Sequence, residues 1–133
     1  MYTPLYVKSN YSFMSSLVKI DEFVDSLISF NIKSVALCDD NMIATMYFYK
    51  KCKEKGIKPI IGYELKIDEF KFLLYAKNFS GYQNLLKIVT MKDEITFEKL
   101  EKYTNNLILI VPYEQREIYG KLKVFFVNSY VGI

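Results

Sequence analysis

Three carboxylates in the middle of the chain are the residues best suited to chemistry. Asp39 and Asp40 directly follow the apolar run 34–38, and Glu64 lies near the end of the next extended run. Carboxylate oxygens are the ligands that hard cations such as Mg²⁺ prefer, so these side chains are candidate metal ligands. The alternative, which we favour, is that Asp40 caps a helix beginning near Asn41 while Asp39 closes a turn.

Histidine is absent from all 133 residues. A serine–histidine triad built on Ser12 is therefore excluded, and the commonest protein ligand for transition metals is missing. The two cysteines, Cys38 and Cys52, fall on a predicted strand and a predicted helix without the spacing of a metal site. We expect both thiols to be reduced. Cys38 could be a reactive thiol, but at the end of an apolar strand it is better explained as a small buried hydrophobic residue.

The charge pattern does not by itself indicate a nucleic-acid-binding protein. Eighteen basic and fifteen acidic residues leave a net charge of +3, and Arg116 is the only arginine. A basic stretch formed by Lys50, Lys51, Lys53, Lys55 and Lys58 could contact a DNA backbone. The lysines are scattered around a predicted helix and mixed with Glu54, so a solvated helix face explains them better. No apolar run has the length of a membrane span and no signal-peptide pattern opens the chain, so we expect a cytoplasmic protein.

The stretch around the carboxylates predicts a strand–helix–strand unit. The first strand covers 34–38, helical spacing relates Ile43, Met46, Tyr47 and Lys50, and Gly56 is placed to end the helix. An extended run restarts at Lys58. Such a unit implies parallel strands with a right-handed crossover, and functional groups gather beyond the carboxyl ends of its strands.

The remaining elements continue the alternation of strands and helices. We expect an opening strand over 5–9, then a helix capped by Ser15 or Ser16, with Asp21 and Glu22 in its first turn. Its inner face comprises Ile20, Phe23, Val24, Leu27 and Ile28, and Asn31 ends it. A strand over 70–77 follows, and then a helix that opens at Ser80-Gly81. The inner face of this helix comprises Tyr82, Leu85, Leu86 and Val89. The remaining elements are a helix capped by Thr96, a buried parallel strand over 107–111, a helix over 114–122 and a strand over 123–128. This order predicts a single α/β domain over 1–133.

An ordered set of short motifs resembles one known family. The matching pieces are Tyr11-Ser12, Val35-Ala36-Leu37, Phe48-Tyr49-Lys50, 56–62 (GIKPIIG) with Glu64, Tyr75-Ala76-Lys77-Asn78 and 81–85 (GYQNL). Their order and spacing, from about Tyr2 to about Val111, are similar to those of the N-terminal PHP (polymerase and histidinol phosphatase) domain of the alpha subunit of bacterial DNA polymerase III. The chain has one residue fewer than that family near Asn41-Met42.

The resemblance implies a fold and a metal site. PHP domains form a distorted seven-stranded β/α barrel, so we expect a partial or shortened barrel, incomplete at its C-terminal end. Active PHP domains hold three metal ions, mainly with histidines. The corresponding positions here are Tyr6 and Lys8 for a His-x-His motif, Ser15 for an Asp, Asp40 for a His and Glu64 for a Glu, with Pro112-Tyr113 replacing a Gly-Cys pair. Only Glu64 keeps its type. The Lys8 ammonium would pair with Asp40 or Glu64 in place of a metal.

The resemblance also implies a function. The parent chain would be a DNA-directed DNA polymerase using Mg²⁺, and this segment would serve as a scaffold and interaction domain with no catalytic residue and no cofactor. Its partners would be the polymerase body, a proofreading exonuclease or other replisome subunits, and DNA through the parent chain. One alternative is a free-standing PHP-like phosphoesterase that binds Zn²⁺ or Mn²⁺ through Asp39, Asp40 and Glu64. The other is a non-catalytic binding module or gene remnant.

Overall fold

The computed structural model describes residues 3–5 and 17–132. The predicted strand over 5–9 and the predicted cap at Ser15 or Ser16 fall wholly or mainly outside these ranges. The chain forms two compact units, residues 1–62 and 63–133, which are described separately below.

Within residues 3–5 and 17–132, five strands and five α-helices alternate in broadly the predicted way, which confirms the α/β class. The strands are β1 (Ser34–Asp39), β2 (Lys58–Ile67), β3 (Phe70–Ala76), β4 (Leu107–Pro112) and β5 (Asn128–Gly132), and their order in the sheet is β1-β2-β3-β4-β5. The helices are α1 (Leu17–Ser29), α2 (Thr45–Glu54), α3 (Phe79–Met91), α4 (Phe97–Glu101) and α5 (Tyr119–Leu122). Within the described residues the strand order is linear, so the sheet is not a closed barrel.

In the first unit, α1 buries the predicted face in part. Ile20, Val24 and Leu27 are buried, whereas Ile28 is 46% exposed, so its placement in the core was wrong. Asn31 has a φ of 56°, the left-handed conformation that commonly follows a helix end, which confirms the predicted stop. Because α1 already includes Leu17, Asp21 lies beyond the first turn, contrary to prediction.

Helix α2 begins later than the sequence suggested. Its N-cap position is Ala44, with no side-chain cap, so the prediction that Asp40 caps this helix is wrong. The preceding turn is held instead by Asn41, whose side-chain oxygen accepts a hydrogen bond from the backbone N–H of Ile43 at 3.0 Å. At the other end Gly56 has a φ of 74°, the conformation expected just beyond a helix.

The apolar spacing located α2 but did not identify its buried side. The helix and the turn before it bury Ala44, Phe48 and Cys52, while Ile43 and Met46 are 63% and 62% exposed. Medium and large apolar residues occur on both sides of this helix, so periodicity alone could not decide which side faces the core.

In the second unit, β4 lies between two strands of opposite sense. It pairs antiparallel with β3, Leu74 opposite Leu109, and parallel with β5, Ile110 opposite Tyr130. The sequence predicted a fully buried parallel strand here. The parallel pairing with β5 agrees with that prediction, whereas the antiparallel pairing with β3 does not. Burial along β4 alternates between buried and half-buried residues, so the strand is not fully buried. Asp68, with a φ of 56°, begins the two-residue turn between β2 and β3.

Two helices of the second unit, α3 and α4, begin at polar caps. Asn78 accepts a hydrogen bond from the N–H of Gly81 at the start of α3, and Thr96 caps α4 as predicted by accepting from the N–H of Lys99 at 3.2 Å. Of the predicted inner face of α3, only Leu85 is buried, while Tyr82, Leu86 and Val89 are half-buried.

The last strand lies about five residues beyond its predicted position. Residues 123–127 form no strand, and Val124 and Val127 are 73% and 92% exposed. The strand-forming composition of this segment was misleading, because the register of β5 is set by its pairing with β4.

Candidate functional site

The three candidate carboxylates occupy different environments. Asp39 ends β1 with 4% of its surface exposed, and Glu64 lies in β2 with 7% exposed. Both take part in interactions within the structure. Asp40 is exposed, and one of its carboxylate oxygens accepts a hydrogen bond from the Asn41 amide at 3.1 Å. Asp39 and Asp40 belong to the first unit and Glu64 to the second.

The other positions that the resemblance matches to metal ligands, Tyr6, Lys8 and Ser15, lie outside the described residues. Among residues 3–5 and 17–132, no group of three Cys, Asp or Glu side chains is arranged to hold a metal ion.

Cys38 is buried, as predicted, and Cys52 is buried as well; the two are not joined in a disulfide. Burial raises the pKa of the Cys52 thiol to about 11, because an apolar environment disfavours the charged thiolate. A thiol that remains protonated is a poor nucleophile, so Cys52 is a packing residue rather than a reactive one.

A charged cluster between α1 and α2 was not anticipated from the sequence. The Tyr47 hydroxyl lies 2.8 and 2.9 Å from the two carboxylate oxygens of Asp21. The Lys51 ammonium lies 3.6 Å from Asp21 and 3.6 Å from Glu54. One turn further along, Lys55 pairs with Asp25 at 3.7 Å. A groove of about 190 Å³ runs beside these pairs.

The Asp21 carboxylate favours the protonated forms of Tyr47 and Lys51. The hydrogen bond to Asp21 raises the pKa of Tyr47, and the nearby Asp21 carboxylate also raises the pKa of Lys51. Since the groups are already paired with one another, the arrangement joins two helices and offers no poised acid or base. The only sequence signal was the matched spacing of Asp21 with Asp25 and of Lys51 with Lys55, which becomes informative once the helices are known to be adjacent.

The segment 78–84 of the second unit, which contains Asn78, Gly81 and Asn84, has a structural role. Asn78 caps α3 and also donates to the Asn106 side chain at 3.2 Å, while Asn84 donates to the Asn105 carbonyl at 2.9 Å. A Cβ at position 81 would collide with the Asn106 carbonyl, so only glycine fits there. These contacts join the start of α3 to the turn before β4, which explains part of the motif without invoking a ligand.

The chain is a mixed α/β domain, and the short motifs noted in its sequence help to position the helices and strands. The PHP domain family matches residues 4–129, and the chain belongs to this family.

Several curated proteins are similar to the chain. It is 35% identical over 122 residues to DNA polymerase III subunit alpha of Halalkalibacterium halodurans, covering 82% of the chain and 11% of that protein. It is 35% identical over 124 residues to the same subunit of Bacillus subtilis, covering 84% and 11%. For the subunit of Mycoplasma genitalium the identity is 30% over 115 residues, covering 84% and 13%. The chain thus matches only about a tenth of the length of these relatives.

Among the described helices, none combines the length and the apolar composition that a membrane span requires.

Proposed function

We propose that this chain is the PHP portion of a bacterial replicative DNA polymerase of the DNA polymerase III alpha type, in which it acts as a scaffold and interaction domain. The observation that carries the proposal is the identity of 35% to alpha subunits over more than four-fifths of the chain, combined with a match to only 11% of their length. Nucleotidyl transfer with Mg²⁺ is assigned to other parts of the parent chain. The partners are its polymerase body and, through it, DNA, a proofreading exonuclease or other replisome subunits in the cytoplasm.

The second part of the proposal is that the ancestral metal site is degenerate. The absence of histidine supports it, since imidazole is the main ligand type of the active family members. Lys8 stands at one of the ligand positions implied by the resemblance, where its ammonium would oppose a dication. Tyr6, Ser15 and Asp40 depart from the ligand types expected at their positions, and Glu64 alone keeps its type.

Metal titration and phosphatase assays test the degenerate site. We expect no stoichiometric micromolar binding of Zn²⁺ or Mn²⁺ by isothermal titration calorimetry, and no hydrolysis of p-nitrophenyl phosphate with either metal. The variant carrying Tyr6→His and Lys8→His restores the His-x-His motif and should gain metal affinity. Lys66→His with Lys102→His, at two exposed positions in β2 and directly after α4, is the control. Turnover by the unmodified chain would instead support a free-standing phosphoesterase using Asp39, Asp40 and Glu64.

The reading frame downstream of codon 133 tests the parent chain. Continuation into a long polymerase frame is the expected result. An immediate stop would contradict the scaffold assignment; combined with absent phosphatase activity, it would favour a separate binding module or a gene remnant.

A further inference from the structure

The lysines on the two sides of α2 differ in whether they form ion pairs. On the side that faces α1, Lys51 and Lys55 pair with Asp21 and Asp25 at 3.6 and 3.7 Å. On the outer side, Lys50 and Lys53 are exposed, and neither forms an ion pair with a carboxylate in the part of the chain that the structure describes. The exposed Glu54, four residues after Lys50, pairs with Lys51 at 3.6 Å, so the outer pair contributes positive charge without an ion-pair partner among the described residues.

Exposed apolar surface lies beside these two lysines. Tyr49 is 40% exposed, with the Lys53 ammonium 5.9 Å from the centre of its ring. Ile43, in the turn leading into α2, is 63% exposed. Residues three and four apart share a helix face, so Tyr49, Lys50 and Lys53 form one continuous stripe, with Ile43 beyond its N-terminal end. We call these four residues the outer α2 surface.

We propose that the outer α2 surface docks an acidic amphipathic helix of a protein partner. Apolar side chains of that helix would cover Ile43 and Tyr49, and its carboxylates would pair with Lys50 and Lys53, which is the usual division between an apolar contact and complementary charge in helix recognition. The proposal deepens the scaffold role and rests on it, because it specifies where and by what chemistry the domain contacts a partner.

A protein fits this surface better than a nucleic acid. The isoleucine side chain, which is 63% exposed, cannot form a hydrogen bond or an ion pair with a phosphate. Contact with another apolar side chain would remove its apolar surface from water, which is favourable. The chain also has a single arginine and a net charge of only +3, a weak basis for phosphate binding.

Two synthetic helical peptides test the proposal. Both have the same leucine face; the polar positions are glutamate in one and lysine in the other. Binding to the 133-residue chain is followed by fluorescence anisotropy, and ¹⁵N chemical-shift changes locate the site. The acidic peptide should bind saturably with shifts centred on residues 43–53, and the basic peptide should not bind.

Charge reversal gives the decisive comparison. Lys50→Glu with Lys53→Glu should weaken the acidic peptide at least tenfold and create binding of the basic peptide, and Ile43→Ser should also weaken the acidic peptide. Lys66→Glu with Lys71→Glu, at two exposed positions of the second unit, is the matched control and should change binding less than twofold. Circular dichroism verifies that each variant is folded, and Lys50→Gln with Lys53→Gln replaces the reversal if that variant unfolds.

Three results would overturn the proposal: no saturable binding of the acidic peptide, binding unchanged by the reversal, or tighter binding of a DNA duplex at the same residues. None of them bears on the metal, phosphatase or reading-frame measurements, so the docking surface and the scaffold assignment fail separately.

Discussion

The hydroxyl of Tyr47 on α2 contacts both carboxylate oxygens of Asp21 on α1, at 2.8 and 2.9 Å, across 26 residues of sequence. Lys51 approaches the same carboxylate at 3.6 Å from one turn further along α2. A tyrosine and a lysine of one helix thus share one acid of the other. This contact fixes how two helices of the first unit pack, a property that the domain would need to present α2 to a partner.

Removing the hydroxyl should loosen this helix pair. We expect Tyr47→Phe to lower the urea midpoint of unfolding, because Asp21 loses a charge-assisted hydrogen bond. The control is Tyr49→Phe, at an exposed position on the same helix, which should leave the midpoint unchanged. Equal midpoints for both variants and the unmodified chain would show that the Tyr47–Asp21 contact does not stabilise the fold.

Alkaline pH should destabilise the protein through Cys52. Its folded-state pKa of about 11 exceeds the value of 9.0 for an unperturbed thiol, so the folded state retains a proton that the unfolded state releases. This contribution is complete below about pH 9 and is lost as the pH rises toward about 11. The raised pKa values of Tyr47 and Lys51 act in the same direction, above about pH 10.

Urea unfolding at a series of alkaline pH values measures this loss. Cys52→Ala removes the thiol, so its stability should fall less steeply between about pH 9 and 11 than that of the unmodified chain. Comparing slopes rather than absolute stabilities separates this effect from the cavity that the substitution leaves. Parallel pH profiles would contradict the assignment of the loss to Cys52.

Local signals in the sequence predicted much of the fold. Asn31, Gly56 and Thr96 were each placed correctly at helix ends, because a cap acts through hydrogen bonds and backbone conformation within one turn. Two errors came from interactions that composition does not reveal. Asn41 holds a turn that delays the start of α2, and pairing with β4 moves the last strand to Asn128–Gly132.

The site was less predictable than the fold. The residue types of Asp21 and Tyr47 do not predict a contact between positions 26 residues apart. The contact forms only when the two helices pack together. The carboxylates Asp39 and Glu64 were candidate ligands because of their positions near strand ends, but their burial and their interactions with other groups depend on the assembled sheet. The roles assigned to Tyr6, Lys8 and Ser15 stay predictions.

A pair of threonines tests helix capping in the second unit. Thr96→Ala should destabilise the protein by about 1 kcal/mol, because the N–H of Lys99 loses its acceptor at the start of α4. Thr90→Ala, near the end of α3, removes only a hydroxyl that donates to the Lys87 carbonyl, and alanine is the better helix former. We therefore expect Thr90→Ala to be neutral or slightly stabilising in urea unfolding. A larger loss for Thr90→Ala than for Thr96→Ala would refute the capping role.

The junction between α3 and the turn before β4 makes the sharpest stability prediction. A methyl group at position 81 would collide with the carbonyl of Asn106, whose neighbour Asn105 is itself held by Asn84. Since the obstacle is backbone, we expect Gly81→Ala to cost about 1–3 kcal/mol in urea unfolding. Gly120→Ala is the matched control: it lies in α5 with open space around it and should be neutral or stabilising by up to about 1 kcal/mol. If both substitutions had the same effect, the close approach of α3 to Asn106 would not be a constraint on the fold, and Gly81 would need another explanation.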